Sequence, residues 1–202
     1  MARDPAGRPA PASKIEIVAH ANMAVMVRGL QQHLVYAISR LPFMGSSYDE
    51  IKVSCASVLR KEWDAYIAGL APLLRVPADV AGFAEFYFAG ISATAGSDSF
   101  AILTHRLYGD AEPWTAIDIG NAFFAPADAT FADRFPHGSI GENNIAAKAV
   151  EVIEAQRTLT VASVNLPEGQ VGNASEEIGL FAQVTTISKE AITTRIVHRW
   201  IK

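Results

Sequence analysis

The sequence predicts an α+β protein in which an N-terminal helical region is followed by an antiparallel β-sandwich or barrel-like domain. Apolar residues recur at steps of three and four across residues 14–96, which is the period of an amphipathic helix. From residue 97 onward the period shortens towards two, and turn residues separate short apolar runs, which is typical of strands joined by short links. We therefore expect a flexible arm over residues 1–13, a helical region over 14–96 and the strand domain over 97–202.

Three helices are predicted in the helical region. The first covers residues 23–41 and ends where a proline follows, because the residue before proline disfavours the helical conformation. The second begins at a capping box, in which Ser47 accepts a hydrogen bond from the Glu50 amide and the Glu50 carboxylate reaches back. The third helix takes Pro77 into its first turn and ends near residues 94–96.

The strand domain is predicted from alternating or apolar runs bounded by turn residues. The predicted strands are residues 100–107, 114–119, 144–154, 158–166, 177–187 and 191–201. The last two resemble a hairpin joined at residues 188–190. Residues 122–142 contain two Pro, two Gly and two Asp, so they predict a long surface loop.

Composition and charge exclude several classes of protein. The chain has 202 residues, with 17 Lys and Arg against 21 Asp and Glu, so a general basic field for nucleic acid is not expected. Cys55 is the one cysteine, which rules out a disulfide framework. Charged and polar residues interrupt the most apolar stretch, residues 23–41, and residues 1–13 lack an apolar signal core. We expect neither a nucleic-acid partner nor a membrane.

Motifs that would indicate catalysis or metal binding are missing from the sequence. The five His residues do not form HxxxH or HExxH, and there is no glycine-rich phosphate loop. A triad of Ser92, His105 and Asp118 can be written down, but so can many other trios. Cys55 lies on the apolar side of a predicted helix, which favours a buried thiol over a nucleophile. The prediction is therefore a non-enzymatic protein with no catalytic residue, metal ion or other cofactor.

Three segments of the C-terminal part carry a family resemblance. They are residues 116–131 (AIDIGNAFFAPADATF), residues 172–181 (GNASEEIGLF) and residues 194–198 (TRIVH). In this order they resemble the "iGtG…P…DT.L", "NG.ItEiGLF" and "l.tRvvf" patterns of a family of tailed-bacteriophage structural proteins from tails, necks, collars and baseplates. The resemblance covers roughly the last 90 residues of the chain.

The resemblance implies a virion protein that is made in the host cytoplasm and works by assembly. Its partners would be copies of itself, as a homo-oligomer in the particle, and other virion structural proteins. Phe123, Phe124 and Phe131 are the candidate partner-binding residues, because three phenyl rings in a polar loop are costly to leave in water. The alternative is that these rings fold back onto the core of their own domain.

Two other functions stay open at the level of sequence. A hot-dog-type acyl-thioester hydrolase would place a long helix near residues 78–94, with Glu85, Ser92 or Asp118 as candidate polar groups. A peptide-binding adaptor is the third possibility, and the sequence does not separate it from a virion component.

Overall fold

The computed structural model describes residues 15–106, 112–120, 131–136, 138–141, 143–158, 160–161, 172–173 and 181–200. These residues form helices and antiparallel sheets, so the predicted α+β class is confirmed. The chain divides into two compact units. We call residues 14–121 with 186–193 the N-terminal unit, and the described residues of 122–185 and 194–202 the C-terminal unit.

The N-terminal unit is built on a five-stranded antiparallel sheet whose strands follow one another in chain order. The strands are β1 (Ile15–Val18), β2 (Met23–Gly29), β3 (Ala84–Ser92), β4 (Gly96–Leu103) and β5 (Ala116–Asp118). A 3-10 turn at Ala19–Ala21 joins β1 to β2. β3 and β4 pair with each other as far as Ser92 and Gly96. The predicted end of the helical region, at residue 96, therefore lies inside this sheet.

Four helices connect β2 to β3. They are α1 (Gln31–Arg40), which continues into a 3-10 turn at Leu41–Phe43, α2 (Tyr48–Lys61), α3 (Trp63–Leu74) and the single turn α4 (Ala78–Ala81). The predicted cap of α2 is present, because Ser47 Oγ accepts a hydrogen bond from the Glu50 amide at 3.3 Å. The Glu50 carboxylate accepts from the Ser46 amide at 2.7 Å, and this bond is the main cause of the lowered pKa of Glu50.

The helices cover one face of the sheet, which we call the helix-covered face. Its buried side chains are Met23, Val25, Val27, Phe86, Phe88, Phe100 and Ile102. Trp63 of α3 lies over this face, with its ring centroid 5.7 Å from Phe86, 5.4 Å from Trp114 and 5.3 Å from Tyr36. Each of these edge-on contacts adds about 1 kcal/mol to the burial of apolar area.

Lys52 of α2 holds the edge strand β5 against the sheet. Its Nζ lies 2.8 Å from Asp98 Oδ2 in β4 and 2.7 Å from Asp118 Oδ1 in β5. Both carboxylates point to the helix-covered face, since Asp118 pairs with Phe100 and Asp98 precedes Phe100 by two residues. Hydrogen bonds to Asp118 and Asp98 raise the pKa of Lys52, so the ammonium form is favoured.

The C-terminal unit contains two helices and short strands. They are α5 (Phe131–Arg134), α6 (Ile145–Arg157), β6 (Thr160–Val161) and β7 (Gly172–Asn173), and the last two pair antiparallel. The predicted C-terminal hairpin is confirmed as β8 (Phe181–Ile187) paired with β9 (Ile192–Arg199). The turn of this hairpin belongs to the N-terminal unit, where Asn22 Nδ2 donates to the Ser188 carbonyl at 2.9 Å.

Two predicted helices are wrong over part of their length. Residues 23–29 form β2, so the predicted helix over 23–41 begins only at Gln31. Residues 84–92 form β3, and the third predicted helix is limited to the single turn α4. Residues 23–27 and 86–91 are apolar on both sides of the strands they form, and such continuous apolar runs fit a helical period as readily as an extended one.

The predicted strand over residues 144–154 is also wrong, because residues 145–157 form α6. Ala, Glu, Gln and Arg favour helix, and their propensity outweighs the apparent alternation. In the predicted loop 122–142, residues 131–134 form α5, while residues 121–130 lie outside the described part of the chain. None of the helices among the described residues combines the length and the apolarity needed to cross a bilayer.

We predict that Gly90→Ala destabilises the N-terminal unit by about 2 kcal/mol or more. A Cβ atom at Gly90 would lie 2.4 Å from Tyr48 Cδ2 and 2.8 Å from Met23 Cβ, and both side chains are packed inside the core. Urea unfolding monitored by tryptophan fluorescence measures the change. Gly69→Ala is the control, since no heavy atom lies within 4 Å of its Cβ, and a helical alanine should add about 0.5–1 kcal/mol.

Candidate functional site

A group of titratable side chains converges on the face of the sheet opposite the helices, which we call the second face. Arg28 in β2 is the direct cross-strand partner of Glu85 in β3. Tyr87 lies two residues further along β3, and His105 follows Leu103, the β4 partner of Glu85, by two residues. Because side chains alternate along a strand, Arg28, Glu85 and Tyr87 point to the second face, and His105 lies there with them, since its Nε2 is 3.5 Å from Glu85 Oε1. We call Arg28, Glu85, Tyr87 and His105 the carboxylate cluster.

Glu85 lies at the centre of the carboxylate cluster, and its side chain is completely buried (0% exposed). Arg28 Nη1 donates to Glu85 Oε1 at 2.8 Å, and the Tyr87 hydroxyl donates to Glu85 Oε2. His105 Nε2 lies 3.5 Å from the same Oε1. Both carboxylate oxygens are therefore engaged, one by a cation and the other by a phenol.

Phe83 holds the two basic members of the cluster. The His105 ring stacks on the Phe83 ring with a centroid distance of 4.3 Å, and the Arg28 guanidinium lies 5.6 Å from the Phe83 centroid. The ring nitrogens of His105 are buried and make no hydrogen bond to a described residue. Burial lowers the pKa of His105, the Glu85 carboxylate raises it to a smaller extent, and Arg28 lowers it further. The imidazole is therefore favoured in its neutral form.

The carboxylate cluster combines a buried ion pair with a titratable imidazole. Removing an ion from water costs several kcal/mol, and the pairing of Arg28 with Glu85 offsets this cost. The oxygens of Glu85 are directed at Arg28 and Tyr87, so they do not offer a free general base to a substrate. His105 is the member of the cluster that we expect to gain a charge as the pH falls, and its lowered pKa places this change below pH 6.5.

The partner-binding residues predicted from sequence are described only in part. Phe131 is buried (1% exposed), and its ring lies 5.1 Å from Phe135 in the C-terminal unit. This position matches the alternative in which the ring folds back onto its own core. Phe123 and Phe124 lie outside the described residues.

The residues considered for catalysis do not meet. Ser92 Oγ accepts hydrogen bonds from the amides of Thr94 and Ala95 in the turn after β3. Ser92 and Glu85 stand at opposite ends of β3, about 20 Å apart at the rise of a strand. Asp118 binds Lys52 on the helix-covered face, whereas Glu85 and His105 lie on the second face. The triad is therefore not assembled, and Glu85, one of the three alternative candidates for a hydrolase, meets neither Ser92 nor Asp118.

Cys55, the possible metal ligands and the C-terminal cleft do not form a site with the residues predicted from sequence. Cys55 is buried in α2, and burial raises the pKa of its thiol to about 12, so the thiol form persists at neutral pH. Within the described ranges no three His, Cys, Asp or Glu side chains are placed to hold a metal ion. A cleft of about 440 Å³ lies in the C-terminal unit, lined by Arg134, Phe135, Glu151, Glu154, Ala155 and Thr158. Among the described residues, none of those predicted from sequence as site residues lines this cleft.

The segments that carry the family resemblance are described in part. Residues 116–118 form β5, and residues 194–198 lie within β9, as strands were expected at both places. Most of residues 172–181 lies outside the described residues. No family model, curated protein or solved structure matches the chain.

The carboxylate cluster was missed from sequence because residues 84–92 were interpreted as a helix. The spacing of Glu85 and Tyr87 is the sequence feature that indicates part of it, because in an extended segment both side chains lie on one face. Pairing with β2 then brings Arg28 opposite the carboxylate. The pairing itself joins residues 57 positions apart, so it is not encoded locally.

We predict that Arg28→Met lowers the free energy of unfolding by about 2–3 kcal/mol, because it leaves Glu85 buried without a cation. Adding Glu85→Gln in the same chain should restore most of the loss, since the amide oxygen still accepts from Tyr87. Denaturant unfolding of the single and double variants measures both changes. Arg106→Met is the matched control, because its ion pair with Glu112 is exposed and should contribute less than about 0.5 kcal/mol.

We predict that the unfolding free energy decreases as the pH falls below 6.5 and that His105 causes part of this decrease. The unfolded chain binds a proton at His105 near the ordinary value of 6.5, whereas the lowered pKa in the folded chain requires a lower pH. The stabilisation is thus complete above pH 6.5. His105→Gln should flatten the pH profile of urea unfolding, while His20→Gln, at an exposed position, should leave it unchanged. Equal slopes for wild type and His105→Gln would contradict this account.

Proposed function

We propose that the chain is a non-enzymatic structural subunit that assembles with copies of itself and with other chains, as a component of the tail, neck, collar or baseplate of a tailed-bacteriophage particle. Residues 116–131, 172–181 and 194–198 resemble patterns of tailed-bacteriophage structural proteins, and this resemblance suggests the kind of particle. The observation from the structure that supports assembly is the exposure of large apolar side chains on the outer side of the helices.

Four of these side chains belong to the N-terminal unit and have exposed fractions between 65% and 86%. They are Val35 in α1, Phe43 in the turn after α1, Val53 in α2 and Leu73 in α3. Single exposed apolar residues are common on soluble proteins, but here four lie on the helical elements of one unit. Burying one of them in an interface would contribute about 1.5–3 kcal/mol.

Phe43 and Val53 are the pair most suited to a common contact. Ser54 Oγ donates to the Met44 carbonyl oxygen, which brings the turn that carries Phe43 next to the turn of α2 that carries Val53. Both side chains point to solvent. We propose that a partner covering the turn of Phe43 also reaches the turn of Val53, so that both side chains contribute to the apolar centre of an interface.

Quantitative mass spectrometry of purified tailed particles tests the proposal. We expect the chain in a fixed multiple of copies relative to the major capsid protein, and gold-labelled antibody at one location in electron micrographs. Absence of the chain from particles whose lysate contains it would overturn the proposal. A peptide-binding adaptor of the host would give that result.

Phe43→Ser with Val53→Ser should weaken incorporation into particles, or self-association of the purified chain, by about tenfold or more. Sedimentation velocity over a range of concentrations measures self-association, and particle mass spectrometry measures incorporation. Lys61→Ser, at an exposed position of α2, is the matched control. Wild-type behaviour of the double variant in both measurements would remove this pair from the assembly surface.

The hydrolase alternative has one observation in its favour, which is the burial of Glu85 beside an imidazole. It requires that hydrolysis of an acyl-thioester panel be lost in Glu85→Gln or Asp118→Ala. We expect no hydrolysis above the buffer rate from the wild-type chain, because Glu85 and Asp118 lie on opposite faces of the sheet.

A further inference from the structure

One oxygen of Glu85 is placed between two basic side chains from different parts of the sheet. Arg28 Nη1 approaches Glu85 Oε1 at 2.8 Å from β2, and His105 Nε2 approaches it at 3.5 Å from the segment after β4. Only the guanidinium is within normal hydrogen-bond distance. The imidazole is therefore a second donor held just outside this range.

The charged and titratable groups around this oxygen come from three neighbouring parts of the sheet. Arg28 comes from β2, Glu85 and Tyr87 from β3, and His105 from the segment after β4. Arg106, the next residue along the chain, is paired with Glu112 at the surface. With His105 neutral, the charges of Arg28 and Glu85 cancel, and with His105 protonated the carboxylate cluster carries one net positive charge.

We propose that the carboxylate cluster is an acid-driven exchange switch, in which protonation of His105 makes the imidazolium the cation that holds Glu85 and releases the Arg28 guanidinium to solvent. The step takes one proton from water onto the free nitrogen of the imidazole. No bond between heavy atoms forms or breaks. The hydrogen bond from Arg28 to Glu85 Oε1 is replaced by one from His105 Nε2.

Two observations favour exchange over a state in which both cations stay on Glu85. Two cations at one buried carboxylate oxygen repel each other in a medium that screens them poorly. Arg28 is the member that can leave, since its side chain is long and 34% exposed and its guanidinium lies 5.6 Å from the Phe83 centroid, whereas the His105 ring is 23% exposed and stacks on Phe83 at 4.3 Å. Shortening the His105 contact from 3.5 Å to a charge-assisted hydrogen bond needs a shift of less than about 1 Å.

The exchange would give the second face of the sheet a surface charge that depends on pH. At neutral pH the guanidinium of Arg28 is occupied by Glu85, and in acid it becomes a free cation at the end of β2. The lowered pKa of His105 places this change below pH 6.5. The inference rests on the carboxylate cluster alone and is independent of the proposed role in assembly.

An NMR titration of the wild-type chain with labelled His and Arg side chains tests the exchange. We expect the Arg28 side-chain resonances and the His105 ring resonances to shift with one common midpoint below pH 6.5, and Arg28 to show no such transition in His105→Gln. Arg28 resonances that stay constant while His105 titrates would overturn the proposal. An Arg28 transition that persists in His105→Gln would do the same.

Double-mutant cycles provide a second measurement that uses stability. The coupling factor between Arg28→Met and Glu85→Gln in the unfolding equilibrium should fall about tenfold from about pH 7.5 to about pH 5. The factor between His105→Gln and Glu85→Gln should rise by a similar amount. His20→Gln replaces His105→Gln in the control cycle. Coupling factors that are the same at both pH values would overturn the exchange, and the NMR titration decides if Glu85→Gln fails to fold.

Discussion

The burial of β3 on both of its faces is the constraint on which the N-terminal unit depends. Phe86 and Phe88 point to the helices, while Glu85 and Tyr87 point to the second face, and all four are almost completely inaccessible to solvent. Apolar rings satisfy the first face by packing alone. The second face contains a charge, and a buried charge requires partners, so Arg28 and the Tyr87 hydroxyl must accompany Glu85.

The sheet register carries this constraint from one strand to the next. Gly90 in β3 leaves space for the Tyr48 ring, which also packs edge-on against Phe100 in β4. The same register that places Phe100 under Tyr48 places Asp118 of β5 opposite Phe100, where Lys52 reaches it. Because α2 supplies both Tyr48 and Lys52, one helix fixes the centre and the edge of the sheet together. A shift of one residue in any pairing would exchange the two faces and expose the core.

The parts of the fold that the sequence predicts correctly are those with a local chemical signal. Ser47 and Glu50 mark the start of α2 through hydrogen bonds between neighbouring residues, and the turn between β8 and β9 is likewise local. Residues 23–29 and 84–92 were misassigned because an element that is apolar on both faces loses its period, and pairing between distant strands decides its conformation. The carboxylate cluster depends on that pairing, so the sequence does not reveal it, and Glu85 and His105 enter the sequence analysis only as members of different candidate sites.

The two faces of the sheet separate the features to which we assign a role. The exposed apolar residues of α1, α2 and α3 lie on the far side of the helices, so the aromatic core around Trp63 stands between them and the sheet. The carboxylate cluster lies beyond the sheet on the second face. A change in its protonation needs a movement of Arg28 and a small shift of His105, and neither side chain contacts the Trp63 core. The proposed change of charge on the second face therefore requires no rearrangement of the helical surface that we propose for assembly.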